Sequence, residues 1–246
     1  MSQPQDSDAF EKRIDALKAR IKAACRQHGK DPEQIKILAV SKTFPAAAVK
    51  EALAAGLHAF GENYVQEGLE KIQQLIAHRR LLEWHFIGPL QSNKTKEVAE
   101  HFDWMHSVDR EKIARRLSEQ RPQGFNPLQV CVQVNVSGEA SKSGVMPGEA
   151  SALALLIAGL PNLTLRGLMA IPEPTEDEQV QRSRFAELTR LFQEIRVSLP
   201  VPQRAHFDTL SMGMSADLEA AIAESLPQST TMVRIGTALF GVRPAR

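Results

Sequence analysis

Apolar side chains recur every three or four positions through residues 7–28, at Phe10, Ile14, Leu17, Ile21 and Cys25. With charged residues between them, that period predicts an amphipathic helix. Ser7 or Asp8 can cap its start, while Gly29 and Pro32 end it. Beyond residue 35 the pattern changes. Short runs, continuously apolar or alternating, fall at 37–40, 58–63, 84–88, 104–108, 128–135, 163–171, 206–212 and 232–235. Each reads as a strand, most plainly 128–135, where Val130, Val132 and Val134 are β-branched on alternate positions.

Helical periods separate these runs. An alanine-rich helix is predicted at 45–55, closed by Gly56, and another runs from Asn63 to Ile76. A polar turn at Gln91, Ser92 and Asn93 leads into a helix near Val98, and Asp109 begins one carrying Ile113 and Leu117. Pro147 suits the first turn of a helix holding Leu153, Leu156 and Ile157. A long helix follows Pro174, with Phe185, Leu188, Leu191, Phe192 and Ile195 on one face. Ser215 is placed to cap a last helix at 216–224.

Strand and helix thus alternate eight times without a Gly/Ser-rich linker or internal repeat. That order predicts an α/β fold, a single (β/α)8 TIM barrel over residues 1–246. No room is expected for a helix after the eighth strand, so the N-terminal helix is predicted to cover that gap. An open doubly wound sheet is the alternative, but Gly-x-Gly-x-x-Gly does not follow the first strand.

Composition narrows the setting. At 246 residues, 43% hydrophobic and 24% charged, the chain is that of an ordinary globular protein. A formal charge of +1 without like-charge blocks argues against a nucleic-acid or membrane surface. The opening Met-Ser-Gln-Pro-Gln-Asp lacks the basic and apolar regions of a signal peptide, and no apolar run approaches the ~20 residues of a membrane span. Cys25 and Cys131 read as buried, reduced thiols. A cytoplasmic protein is expected. The seven histidines show no metal-ligand spacing, so no metal site is expected.

Candidate chemistry collects where a barrel brings its C-terminal strand ends together. Lys42 lies just past the apolar first strand, placed to lose its proton and attack a carbonyl, or simply to extend into solvent. Leu210 to Ser215 is a strand running into a glycine turn, and Arg234-Ile235-Gly236-Thr237 repeats the device on the next strand. Exposed backbone N–H groups with serine and threonine hydroxyls make an uncharged phosphate cradle; alternatively these are plain turn residues. Closure would set this cradle beside Lys42. A ligand with a phosphate at one end and an aldehyde at the other bridges them, and pyridoxal 5'-phosphate (PLP) is such a ligand. Arg234 could face its pyridine nitrogen or join a surface salt bridge. Arginine keeps its proton, so the ring nitrogen beside it would stay unprotonated and the ring a weak electron sink.

These residues fall within six motifs: Ala39-Val40-Ser41-Lys42, Gly61-Glu62-Asn63-Tyr64, His85-Phe86-Ile87-Gly88-Pro89-Leu90-Gln91-Ser92-Asn93-Lys94, Gly167-Leu168-Met169, Ser211-Met212-Gly213-Met214-Ser215 and Arg234-Ile235-Gly236-Thr237. In this order, from about Ile35 to Gly241, the chain resembles the PLP homeostasis family, single-domain proteins similar to the N-terminal barrel of alanine racemase. The resemblance implies PLP held as an imine at Lys42, with Ser211, Ser215, Gly236 and Thr237 around the phosphate, Arg234 at the ring nitrogen and Met214 also in the cofactor site. Asn63, His85 and Asn93 are assigned to the pocket wall. Lys142 matches a lysine often found in the family and is either a second PLP contact or a solvated loop residue.

Family members are thought to buffer or deliver PLP, PLP-dependent apoenzymes being possible recipients, and to influence amino-acid pools. A weak PLP-dependent racemase is the alternative. Racemisation needs a second base, which in racemases is a tyrosine from a further domain; the one tyrosine here, Tyr64, lies at a strand-to-helix junction. A class I aldolase would need an acid or base at the mouth, for which Glu62 and Asp109 are the candidates. Holding PLP without catalysis is the expected role, in a monomer or homodimer.

Overall fold

The computed structural model describes residues 4–139 and 143–241. Eight parallel strands form a closed barrel in sequence order. They are β1 (Ile35–Val40), β2 (Ala59–Glu62), β3 (Glu83–Phe86), β4 (Trp104–Val108), β5 (Leu128–Gln133), β6 (Leu163–Met169), β7 (Thr209–Ser211) and β8 (Thr230–Ile235). Around them lie α1 (Pro4–His28), α2 (Ala46–Ala54), α3 (Val65–Gln74), α4 (Thr95–His101), α5 (Glu111–Gln120), α6 (Pro147–Ala158), α7 (Glu178–Ser198), α8 (Val201–Arg204), α9 (Leu218–Ala223) and α10 (Thr237–Phe240). The predicted barrel is present. Its closing seam pairs β8 with β1 over five positions, Ile35 opposite Thr231 through Ala39 opposite Ile235.

Strand alternation divides the apolar residues between two environments. Outward residues such as Phe60, Trp84, Val132, Val233 and Ile235 join the helices in one continuous core. Inward residues form smaller clusters, Leu38, Val40, Ile87 and Met232 in one and Trp104, Cys131 and Met169 in another. The rest of the lumen is polar: His85, His106, Ser211 and Arg234 are all buried.

Three details differ from the sequence expectation, the first being that α1 begins at Pro4, so that Ser7 and Asp8 lie within the helix rather than at its cap. A one-turn helix, α10, does follow β8, and α1 covers it and α9 together. Arg13 donates to the Leu239 carbonyl at 2.6 Å, Phe10 packs on Phe240 with ring centroids 5.6 Å apart, and Arg20 makes a two-pronged contact with Glu219 at 2.5 and 2.6 Å. The last crossover helix starts at Leu218 and Ser215 does not cap it. The Asp217 carboxylate accepts the Met214 N–H at 2.6 Å, which holds residues 214–216 as a loop rather than a helical turn.

Among the described residues, no helix is long and apolar enough to cross a membrane, and no group of three or more His, Cys, Asp or Glu could hold a metal ion. Cys25 and Cys131 are buried and free.

Because Phe10 is nearly fully buried where α1 meets α10, Phe10→Ala is expected to lower the unfolding free energy by about 3 kcal/mol in urea titration, as for other buried phenylalanines. A loss below about 1 kcal/mol would show that α1 is not part of the cooperative unit.

Candidate functional site

At the C-terminal mouth, Lys42, Asn63, Met214, Ser215, Arg234, Gly236 and Thr237 line one cavity of about 270 Å³. Val40, Phe44, Ile87 and Ile171 supply apolar wall. Among the described lining residues, Lys42 and Arg234 are the ionisable ones. Among the described residues, then, the lining presents two cationic groups and no carboxylate, which suits an anionic ligand with a small apolar body. Its size, near the lower end of small-molecule sites at roughly 300 Å³, suits one substituted ring rather than a dinucleotide.

Lys42 stands in a loop that a buried ion cluster holds in shape. The Ser41 N–H donates to the Gly61 carbonyl at 3.0 Å, continuing the β1–β2 ladder one residue past the strand. Lys71 of α3 donates to the Ser41 carbonyl at 2.6 Å and to Glu62 and Glu67 at 2.7 Å each. The Ser41 hydroxyl donates to Glu62 at 2.6 Å, and Glu67 accepts the N–H of Thr43, which lies at φ 69°. Both neighbours of Lys42 are thus pinned from behind. Glu62 is fully buried, its second oxygen without a hydrogen-bond partner among the described residues, and burial pushes its carboxyl up to about 6 despite Lys71. Lys71 and Glu67 were not apparent in the sequence; their spacing of four on a predicted helix reads as an ordinary surface pair.

Asn63, the residue after β2, lies against Gly88, whose absent side chain permits the contact: a Cβ there would lie 2.1 Å from the Asn63 carbonyl oxygen. The Asn63 side-chain oxygen is buried on the cavity wall without a hydrogen-bond partner among the described residues. It is an acceptor set for a ligand donor. Opposite, Gly213 turns the chain at φ 88°, with its hypothetical Cβ only 2.6 Å from that of Ala221. Glycine is therefore required for the turn to close on α9 and set out Met214 and Ser215.

Arg234 projects from β8 into the lumen. Its guanidinium donates to the Ser211 hydroxyl at 2.9 Å and to the Ala170 carbonyl at 2.8 Å. Burial lowers its pKa to about 10, with Asp217 and Cys131 acting the other way, so it stays charged at neutral pH. Burial raises the Asp217 carboxyl, while the Met214 hydrogen bond and the Arg234 charge draw it back.

Other predicted residues lie elsewhere. Ser211 does not line the cavity; it points inward from β7, between Arg234 and the Nδ1 of His106 at 2.7 Å. His85 is not on the wall but deeper in the lumen, 2.9 Å from His106. Asn93 is exposed in a 3₁₀ turn, because the 3₁₀ turn at Ser92–Lys94 carries it outside the barrel mouth. Glu62 is committed to Lys71, and Asp109 does not line the cavity. Lys142 lies outside the described residues. His106, unremarked in the sequence, is fully buried at the lumen's centre; its signal was a histidine on alternation with Trp104 in a buried strand.

Residues 13–244 match the family profile described as "Alanine racemase, N-terminal domain". The chain is 59% identical over 230 residues to the pyridoxal phosphate homeostasis protein of Pseudomonas aeruginosa, covering 94% of each chain. It is 52% identical over 232 residues to the protein of the same name from Escherichia coli, covering 92% of this chain and 94% of that one. Among solved structures, PipY of Synechococcus elongatus with PLP bound is 34% identical and aligns at TM-score 0.79 over 94% of this chain and 100% of its own. An alanine racemase of Clostridium difficile shares the fold at 18% identity and TM-score 0.69, over 97% of this chain and 58% of its own.

The raised pKa of Glu62 carries a pH signature. A folded-state value of about 6 against an ordinary 4.5 means that stability is fully present below 4.5 and is lost as pH rises through 6. Relative to Glu62→Gln, the protein should lose about 2 kcal/mol of unfolding free energy between pH 4.5 and 7, measured by urea titration. An unchanged difference would mean that Glu62 ionises normally.

Proposed function

The chain belongs to the pyridoxal phosphate homeostasis protein family, and from that membership we propose that its cavity holds PLP, linked covalently through Lys42, and serves PLP homeostasis. The observation that carries this reading is the adjacency of Lys42 to Met214 and Ser215 and to the Gly236–Thr237 turn within one cavity of about 270 Å³. When bound, PLP supplies an aldehyde carbon that condenses with one primary amine and releases one water. Everything else falls to the chain's own groups.

Lys42 is the amine, held at the mouth by the cluster behind Ser41 and Thr43. Ser215 and Thr237 offer hydroxyls, and the glycine turns offer backbone, to the phosphate. Arg234 serves as donor to the pyridine nitrogen and, keeping its proton, leaves that nitrogen unprotonated. Asn63 accepts from the ligand with its unpartnered oxygen. A weak electron sink with no carboxylate among the described lining residues supports holding the cofactor over turning over amino acids. PLP-dependent apoenzymes are the proposed recipients, and two buried free thiols suit the reducing cytoplasm as the setting.

Borohydride reduction of the PLP-loaded protein, followed by peptide mapping, should place the label on Lys42. Lys42→Ala should lose both the visible absorption band and the label. Labelling at another lysine, with Lys42→Ala still coloured, would overturn the assignment. Steady conversion of L-alanine to the D-isomer would replace holding with racemisation.

A further inference from the structure

Below the cavity, polar side chains cross the barrel from one mouth to the other. We propose that Glu83, His85, His106 and Ser211 form a single hydrogen-bonded column that orients the Arg234 guanidinium toward the cofactor ring, making the two histidines positioning residues for the cofactor. The proposal rests on the PLP reading for what Arg234 faces, but not for the column itself.

The links are short and continuous. Arg234 Nη1 lies 2.9 Å from Ser211 Oγ, which lies 2.7 Å from His106 Nδ1. His106 Nε2 is 2.9 Å from His85 Nδ1, and His85 Nε2 is 2.8 Å from Glu83 Oε1. His85, His106 and Ser211 are wholly inaccessible to solvent, whereas the Glu83 side chain is 48% exposed. Glu83 opens on a cleft of about 790 Å³ at the N-terminal mouth. Its neighbours there also fix the column sideways: His85 stacks on Trp104 at 5.2 Å, Trp104 donates to Glu83, and Arg166 covers the Trp104 ring at 4.7 Å.

Counting protons gives the column one direction. Arg234 can only donate and the Glu83 carboxylate can only accept; with both rings neutral between them, Ser211 accepts from Arg234 and turns its own O–H to His106 Nδ1. His106 then carries its proton on Nε2 and donates to His85 Nδ1. His85, in turn protonated on Nε2, donates to the Glu83 carboxylate. Every group is satisfied with both rings neutral. A proton on His106 Nδ1 would instead donate to the second lone pair of Ser211, leaving the serine O–H without this acceptor and reversing the order. Burial, reinforced by the Arg234 charge, holds His106 well below the ordinary imidazole value, in agreement with a neutral ring.

The arrangement has a structural reason. A buried guanidinium costs free energy unless its N–H groups are used, and Ala170, just past β6, supplies one carbonyl. The column supplies a second acceptor whose lone pair is itself held in place by a fixed tautomer two rings away.

Imidazole nitrogen NMR on cofactor-free protein labelled with ¹⁵N-histidine, assigned with single-histidine variants, tests the column directly. At pH 7 both His85 and His106 should be neutral and protonated on Nε2; an Nδ1-protonated ring at either position overturns the proposal. Ser211→Ala removes the one hydroxyl that joins His106 to Arg234. In PLP-loaded protein it should displace the absorption band and weaken PLP retention by about tenfold while Lys42 still takes the borohydride label. His106→Gln, which keeps a donor and an acceptor, should stay closer to the parent spectrum than His106→Phe. A Ser211→Ala protein with the parent's band and retention overturns the positioning role. Failure of the parent to label at Lys42 would instead refute the PLP reading, and the imidazole spectrum would still decide the column.

Discussion

The hydrogen bonds between β8 and β1 place Leu38 opposite Arg234 and Ala39 opposite Ile235. In an open eight-stranded sheet those strands would be the two edges, roughly 34 Å apart at about 4.8 Å per strand. Closure makes them neighbours. The loop that bears Lys42 and the turn at Gly236 then border one cavity. Neither glycine turn is near Lys42 in sequence, and nothing local in either segment draws it to the other. α1 reinforces the closure from outside, where Phe10 and Arg13 engage the single turn of α10.

Charge is distributed in layers around that cavity. Lys42 and Arg234 are on its lining, while Glu62, Glu67, Asp217 and Glu83 are set back behind it, each bonded to backbone or to another side chain. An anion entering the cavity therefore meets cationic groups without facing a carboxylate on the described lining, and burial makes each such contact stronger than it would be in water. The carboxylates act indirectly. Glu62 and Glu67 shape the loop on either side of Lys42 through Lys71, and Asp217 shapes the Gly213–Ser215 turn through the Met214 N–H.

The lumen departs from the packing usual for this architecture, where branched apolar side chains fill the barrel in layers. Here two small apolar clusters flank a polar line containing His85, His106, Ser211 and Arg234. Buried polar groups are tolerated when every donor and acceptor is matched, and this line is matched from Arg234 to Glu83. The racemase of similar fold extends well beyond the barrel, since this chain spans 58% of it.

Periodicity by itself determined the alternation of strands and helices, the eight-fold count and the N-terminal helix, because burial on one face of a helix or both faces of a strand writes a local pattern into the chain. Motifs likewise marked Lys42, Asn63, Ser215, Arg234 and Gly236, each of which sits in a short motif read within a few positions of itself. What only the tertiary structure decided were relations between distant side chains. Ser211 and His85 carry motif positions, yet their direction into the lumen is set by strand register, which removes them from the cavity wall and joins them to His106. Asp217 displaces Ser215 as the group that organises the last loop, through a bond to Met214 that no period records. The Lys71 cluster spans β1, β2 and α3, so its meaning exists only once those three elements are packed together.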